Sequence, residues 1–435
     1  MSLAYPIQAI FDGPRHPDRS LSAYRARGGY GAWLRVVERA SPDALADLIE
    51  SSGLVGKGGA GFPTSRKVRL MQAQSADHKV VVINGSEHEP GSIKDRLLLE
   101  TYPHKVIEGA MILAHTVGAD AICFAINEGS AKAAVCMRDA LAELSAEESL
   151  DVAGLSLSVQ TVPELYLVGE ETALLETLEG RKAWPRRKPP YPIQAGLRGV
   201  PTLVQNVETV ASLPFIVAAG GDAYRALGPS GTGSTLVTLG DEFVNPGVVE
   251  IPLGISIRDV LEVWGGGLRD KSPIKCIQPG GPSSGFVLAR DFDRPFDAAT
   301  LGTLGSALGC AVIRAYSVDD CMVRYIGEVM HFFAVESCGQ CPRCRMETNM
   351  LDTIVRQVLA GTATPALLDK VEGLIQLAKG QGICSLIDMP VAPIRTGLLH
   401  FRDEFTAHME HRCLLCASDG RARDEALASV GVTAS

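Results

Sequence analysis

"GLVGKGGAGFPTSRKVRL", residues 53–70, holds five glycines and four basic residues in eighteen positions. Glycine admits positive φ and lets a backbone approach a ligand closely, at an entropic cost that a purely structural loop rarely repeats so often. The stretch therefore predicts a loop with something lying against it. Lys57, Arg66 and Lys67 predict that this something is anionic, and amide groups leading into a helix suit a phosphate. The basic loop is an exception in its own chain. A net charge of −9 argues against a nucleic-acid protein, which needs a broad basic face.

Downstream of the loop, "HKVVVING" (78–85) and "ADAICFAINEG" (119–129) are short apolar runs that end in Asn or Gly, each followed by a helical pattern. That alternation predicts a βαβ-type layered domain with binding loops at the strand ends. Upstream, residues 1–50 contain an arginine-rich stretch and a helix opened by Ser41 and Pro42, and read as a docking or wrapping leader. From 233 to 265 the pattern changes to two alternating strands around Asn245-Pro246-Gly247. A short helix follows at Ser256 with Asp259 three residues on, which predicts a small α+β unit of β-grasp type. Beyond 320 the chain turns helical: Met346, Met350, Ile354 and Val358 recur at helical spacing, Gly361 ends that helix, and Thr364-Pro365 opens another.

With 435 residues, 46% of them hydrophobic and 21% charged, the chain is globular and long enough for several cores. Its start has no basic segment followed by an apolar core, so no signal peptide is expected. The longest apolar stretch, around 109–126, is interrupted by His115 and Asp120 and is too polar to span a bilayer. The expectation is a cytoplasmic protein, and eleven cysteines in such a chain point to metal or redox chemistry rather than disulfides.

Three of these cysteines, Cys338, Cys341 and Cys344, stand at CxxCxxC spacing in "ESCGQCPRCR", and Cys384 follows in "GQGICSLIDMP". Three thiolates from one tight loop plus a remote fourth suit a 4Fe-4S cluster. A zinc site built from Cys338, Cys341, Cys413 and Cys416 is the alternative on spacing alone. Cys413 and Cys416, with His408 and His411 near, read either as an uncoordinated tail or as zinc or partner-shared ligands. Cys123, Cys136, Cys276, Cys310 and Cys321 stand in apolar settings and read as core residues.

Two acidic stretches complete the picture. "INGSEHEPGSIKDR" (83–96) sets Asn84, Glu87 and Glu89 after a strand, and "LYLVGEETALLETLEGR" (165–181) sets Tyr166, Gly169, Glu170 and Glu171 before a helix. Carboxylates at strand ends can hold ribose hydroxyls or a carboxamide. In the first turn of a helix they are also simply favourable dipole partners.

Taken together, "GKGGAGFPTSRK", "NGSEHEPGSIKDRLLLE", "YLVGEETALLETLEGR", "RKPPYP", "QNVET", "NPG" and "ESCGQCPRCR" occur in this order. Over about residues 50–405 the chain resembles the NADH-binding flavoprotein subunit of respiratory complex I and its soluble relatives. These relatives are the diaphorase subunits of NAD-dependent formate dehydrogenases, NAD-reducing hydrogenases and aldehyde oxidoreductases. The resemblance implies a multidomain α/β plus α architecture. A Rossmann-like flavin- and NAD(H)-binding domain would span 51–228, a ubiquitin-like β-grasp (SLBB-type) domain 229–318, and a helical bundle with the 4Fe-4S cluster 319–412. The leader 1–50 and a tail 413–435 with its CxxC flank them.

Position by position, the resemblance implies that the loop glycines Gly56, Gly58, Gly59 and Gly61, with Lys67 and Asn206, hold the flavin phosphate, and that Asn84 contacts the flavin further along. Phe62 would stack on the adenine of the nicotinamide nucleotide, near Tyr191, which stands where the family usually has Phe. Glu87, Glu89, Glu170 and Glu171 would be the catalytic-site carboxylates, positioning NAD(H) with Tyr166, Gly169 and Lys188 rather than reacting. Cys338, Cys341, Cys344 and Cys384 would ligate the cluster. The flavin is FMN by the habit of the family, with FAD as the alternative. Ser86 replaces an Asp of complex I subunits, Gln205 an Asn, and Leu70 an aromatic. The expected role is an NAD(H)-coupling subunit of a soluble oxidoreductase. Its partners would be an iron-sulfur electron-transfer subunit and, behind it, a catalytic subunit of molybdenum, tungsten or hydrogenase type. The alternatives are a membrane complex I subunit and a redox-inactive scaffold.

Overall fold

The computed structural model of the chain describes residues 9–11, 18–150, 152 and 154–417. Most of the expected tail beyond Cys413, and parts of the leader, thus lie outside the described residues. The two apolar runs form neighbouring parallel strands, β1 (Val80–Gly85) and β2 (Ala121–Asn127). Two further strands, β3 (Ser156–Val162) and β4 (Thr202–Asn206), complete a four-stranded sheet of order β3-β2-β1-β4, all pairs parallel. Neither was legible as a strand. β3 lies at an edge and is largely solvent-facing, so it lacks an apolar pattern, while β4 is only five residues long.

The apolar stretch that was too polar for a bilayer is a core helix followed by a strand. Every residue of the helix Pro103–Val117 except His115 is buried, and Gly118 closes it at φ 69°. Three leader helices, Leu21–Ala26, Gly31–Arg39 and Pro42–Ser52, lie over this helix. The first two are anchored by the buried carboxylate of Glu108, which accepts from the amides of Tyr30 and Trp33, both at 3.0 Å, and from the Tyr24 hydroxyl. The backbone at Ala9 and Phe11 reaches the other sheet, donating to Glu250 at 2.8 and 3.0 Å.

That second sheet contains β5 (Ser234–Leu239), β6 (Gly247–Pro252), β7 (Ile274–Gln278), β8 (Val287–Leu288) and β9 (Val312–Ser317). Its order is β6-β5-β9-β7-β8, with β5 and β9 parallel and the other pairs antiparallel. The expected hairpin around Asn245-Pro246-Gly247 joins β5 to β6, and Ser256 Oγ accepts from the Asp259 amide at 2.9 Å, as the capping pattern predicts.

The C-terminal region packs the helices Met322–Glu336, Pro342–Leu359, Lys370–Ala378, Val391–His400 and Arg402–Met409 around Phe333, Leu351, Val355 and Phe405. The molecule is thus a mixed α/β structure with a parallel sheet, followed by a helical region. Among the described residues no helix is long and apolar enough to cross a membrane.

Candidate functional site

Strand order decides where a ligand can lie. The chain lays β2 and β3 on one side of β1 and β4 on the other, so the carboxyl ends of β1 and β4 diverge into a crevice. Asn84 and Asn206, the last register pair of β1 and β4, stand at its floor. Above them opens a cavity of about 970 Å³, at the top of the usual range for small-molecule sites. Of the expected nucleotide-site residues, all line this cavity: Gly56, Gly58, Gly59, Gly61, Phe62, Lys67, Asn84, Glu87, Glu89, Tyr166, Gly169, Glu170, Glu171, Lys188, Tyr191 and Asn206.

The glycine loop is pinned at its ends and at Lys57, whose amide donates to Thr209 Oγ1 at 2.9 Å. Gly56 N donates to Phe62 O at 2.8 Å and Thr64 N to Leu54 O at 3.0 Å. Between them, the amides of Gly58, Gly59, Ala60, Gly61 and Phe62 have no protein acceptor among the described residues, so they are free to donate into the cavity. Gly59 at φ 104° and Gly61 at φ 61° need glycine's freedom. A Cβ on Gly58 would lie 3.3 Å from Asn206 Cβ, so the loop rests directly on the floor of the crevice. Lys57 differs from expectation. It is buried and turned away, its Nζ donating to Ser234 O of the second sheet at 3.0 Å.

The remaining charges form a chain along the wall. Lys67 Nζ meets Glu171 Oε2 at 3.1 Å, and Lys188 Nζ meets Glu171 Oε1 at 2.8 Å and Glu170 Oε1 at 3.0 Å. Burial pushes the Glu171 carboxyl up, but the two ammonium groups outweigh it and hold Glu171 below the usual carboxylate range. Glu170 also caps the helix Glu171–Leu178, accepting from Thr172 N at 2.8 Å and Ala173 N at 2.9 Å. Glu87 caps the helix Lys94–Thr101 through Arg96 N at 2.9 Å and Asp95 N at 3.2 Å. The helix-cap reading and the pocket reading of these carboxylates therefore coexist. Glu89 is different: burial pushes its carboxyl up to about 7, with only the Tyr166 hydroxyl, 3.0 Å away, opposing.

Sequence reasoning missed part of the floor. Buried Lys94 pairs with Asp95 at 2.9 Å and Glu208 at 2.8 Å, and Asp95 in turn accepts from Asn206 Nδ2 at 2.6 Å, which fixes the Asn206 side chain. Nothing in a helical Lys-Asp pair signals burial; only the approach of the helix Val207–Ala211 does. Cys310, expected as a core residue, lies under the loop, 3.3 Å from where a Gly59 Cβ would sit. With Ser283 and Gly309 it brings the second sheet's loops into the cavity wall. Ser86 also lines the cavity, and its hydroxyl is buried with no hydrogen-bond partner among the described residues.

Cys338, Cys341, Cys344 and Cys384 surround a second, smaller cavity. Cys338 and Cys341 lie in the turn between two long helices. Pro342 then opens the helix Pro342–Leu359, whose first turn carries Cys344. Burial pushes Cys344 up to about 11 and Cys384 to about 12, so cationic metal must displace their protons on binding. Cys413 and Cys416 lie elsewhere, which removes the zinc set that paired them with Cys338 and Cys341. Leu167, Cys384 and Leu386 line both cavities, so a single layer of side chains separates them.

Residues 49–214 match the Nuo51 FMN-binding domain, and residues 324–408 match the NADH-ubiquinone oxidoreductase-F iron-sulfur binding region. The chain is 36% identical over 399 residues to the second NADH-quinone oxidoreductase F subunit of Rhizobium meliloti, covering 90% of this chain and 95% of that one. It is 36% identical over 396 residues to the NADH-quinone oxidoreductase F subunit of Escherichia coli, covering 89% of each. It also superposes on a chain of an NAD+-reducing [NiFe]-hydrogenase in the H2-reduced state with a TM-score of 0.78 and 29% identity. That match covers 88% of this chain and 64% of the hydrogenase chain.

Proposed function

The chain belongs to the family of NADH-quinone oxidoreductase F subunits, and from that premise we propose that it is the NAD(H)-coupling subunit of a soluble multi-subunit oxidoreductase. The family membership makes it an NADH oxidoreductase subunit with an FMN-binding region and a 4Fe-4S region. The residues present fit both groups: a loop of unpaired amides beside Lys67 suits a phosphate, and four sulfurs around one small cavity suit a cluster.

Bound flavin exchanges two electrons with a nicotinamide and single electrons with an iron-sulfur centre. In our reading the protein's own part is orientation. The loop amides and Lys67 hold the flavin phosphate, Asn206 and Asn84 fix the flavin against β4 and β1, and Phe62 and Tyr191 flank the dinucleotide. Glu87, Glu89, Tyr166, Gly169, Glu170, Glu171 and Lys188 shape its pocket, and Cys338, Cys341, Cys344 and Cys384 ligate the cluster. The observation that carries this reading is the shared wall of Leu167, Cys384 and Leu386, which leaves one side-chain layer between the nucleotide cavity and the four sulfurs.

We place the domain boundaries at 50, 228, 318 and 412. The central unit is read as a β-grasp domain, supported by its parallel β5 and β9 at the centre of a five-stranded sheet. The soluble, cytoplasmic assignment is supported by likeness to the hydrogenase chain and by the Ser86, Gln205 and Leu70 departures. A membrane quinone-reductase role is the second reading, favoured by the 36% identity to NADH-quinone oxidoreductase F subunits. Purification of the native assembly separates them. Co-elution with an iron-sulfur subunit and a molybdenum, tungsten or hydrogenase-type subunit is expected, with NADH-dependent viologen reduction by the isolated chain. Co-elution with membrane subunits would replace the proposal. An isolated chain with full flavin and iron but no NADH activity would return the scaffold reading.

A further inference from the structure

Away from the nucleotide cavity, where the second sheet meets the helical region, four side chains converge that the function above does not use. Cys321 precedes the helix Met322–Glu336, His408 lies in the last turn of Arg402–Met409, and Cys413 and Cys416 bracket the start of the short helix Leu414–Ala417. Their ligand atoms all lie within 4.8 Å of one another. Cys321 Sγ is 3.1 Å from His408 Nε2, Cys416 Sγ 3.7 Å from the same nitrogen, and Cys413 Sγ 4.0 Å from Cys321 Sγ. We propose that Cys321, His408, Cys413 and Cys416 bind one Zn2+ as a closed structural site.

Donor chemistry and spacing both select this ion. Three thiolates and an imidazole are a standard zinc set, and bonds of about 2.3 Å to sulfur and about 2.0 Å to nitrogen place the corners of a tetrahedron about 3.5–3.8 Å apart. The three distances above bracket that range. A multi-iron cluster must spread its sulfurs over several irons, and the cysteines that do so are Cys338, Cys341, Cys344 and Cys384, around their own cavity. A disulfide between Cys321 and Cys413 would need sulfurs about 2.05 Å apart, half the distance present.

The surrounding structure holds the ligands in place. The amide next to Cys321, Met322 N, donates to Glu404 Oε2 at 2.7 Å, and Glu404 is itself tied to Lys275 of β7 at 3.1 Å. Backbone turns from His411 N to His408 O at 3.0 Å and from Arg412 N to Ala407 O at 2.7 Å bring Cys413 back beside His408. His411, which the sequence offers equally, packs against Gly361 instead. Four protein ligands leave no open position, so the ion would act as a fastener. It ties the segment 413–417 to the junction of sheet and helices, and its binding energy adds to that of folding.

Metal analysis of the full chain with its cofactors, desalted against a chelator, tests this. One zinc per chain is expected in addition to four irons, with a zinc-edge X-ray absorption spectrum of three sulfurs and one nitrogen. The double variant C413S/C416S should lose the zinc while keeping its irons and flavin, and C341S should keep the zinc and the flavin while losing iron. A protein without zinc, iron at this site, or zinc that survives in C413S/C416S would overturn the proposal. Should that variant fail to fold, the absorption spectrum of the unmodified protein decides alone.

Discussion

Tyr166 Oη donates to Glu89 Oε2 at 3.0 Å while its ring packs edge-on against Phe332, 4.9 Å between centroids. One residue therefore joins the wall of the large cavity to the helical region that carries the cysteines.

The first prediction concerns Glu89. Its carboxyl is pushed from an ordinary 4.5 to about 7 by burial, so the folded protein holds a proton that the unfolded chain has released. That contribution to stability is full below about pH 4.5 and is lost as the pH rises through about 7, at most on the order of 3 kcal/mol. Denaturant unfolding at pH 5.5 and pH 8 should show the loss, and E89Q should flatten it. A step near pH 7 in kcat/KM for NADH oxidation should disappear in the same variant. An unchanged slope in E89Q would show that Glu89 is not the titrating group.

Gly59 and Gly61 separate backbone strain from crowding. Gly59→Ala combines φ 104° with a Cβ 3.3 Å from Cys310 Sγ, whereas Gly61→Ala meets nothing within 4 Å at φ 61°. The first should cost about 2–3 kcal/mol and flavin affinity with it, the second about 1 kcal/mol. Thermal unfolding and flavin release measure both. Because the φ remains, C310A should restore only part of the loss in Gly59→Ala.

Lys67→Gln removes the charged side chain at the foot of the glycine loop, where it now meets Glu171 and the Val204 carbonyl at 3.1 and 3.2 Å. A charge-assisted contact to phosphate is worth about 1.5–3 kcal/mol, so flavin should dissociate roughly ten- to hundredfold more readily. Flavin fluorescence in the flow-through of a desalting column reports it, and iron content should stay constant.

Lys94→Met leaves Asp95 and Glu208 buried with no cation between them. A destabilisation of about 3–5 kcal/mol is expected, larger than for any single loop change. Chemical denaturation gives the value, and a loss below about 1 kcal/mol would mean that the two carboxylates take up protons at little cost.

Cys384→Ala should strip the cluster while the flavin stays. Iron falls from four per chain, NADH still bleaches the flavin, and the electron-paramagnetic signal of the reduced cluster vanishes. Unchanged iron would mean that other residues ligate it.

Local chemistry made much of this protein readable. Glycines 56, 58, 59 and 61, the CxxCxxC run and the apolar strands 80–85 and 121–127 state their backbone needs, metal affinity and burial within a few residues, so a linear reading finds them. Other features depend on what packs against what. β3 carries no apolar signal because it is an edge strand, Lys57 turns away because the second sheet offers it a carbonyl, and Lys94 is buried only because Glu208 arrives from more than a hundred residues away. The assignment of sulfurs is the clearest case. Spacing pairs Cys413 and Cys416 with any distant partner equally well, and only the meeting of the β9–helix junction with the helix Arg402–Met409 brings them Cys321 and His408 instead of Cys338 and Cys341. A ligand's identity is written in its side chain, but its partners are fixed by distance in space, which the order of residues does not contain.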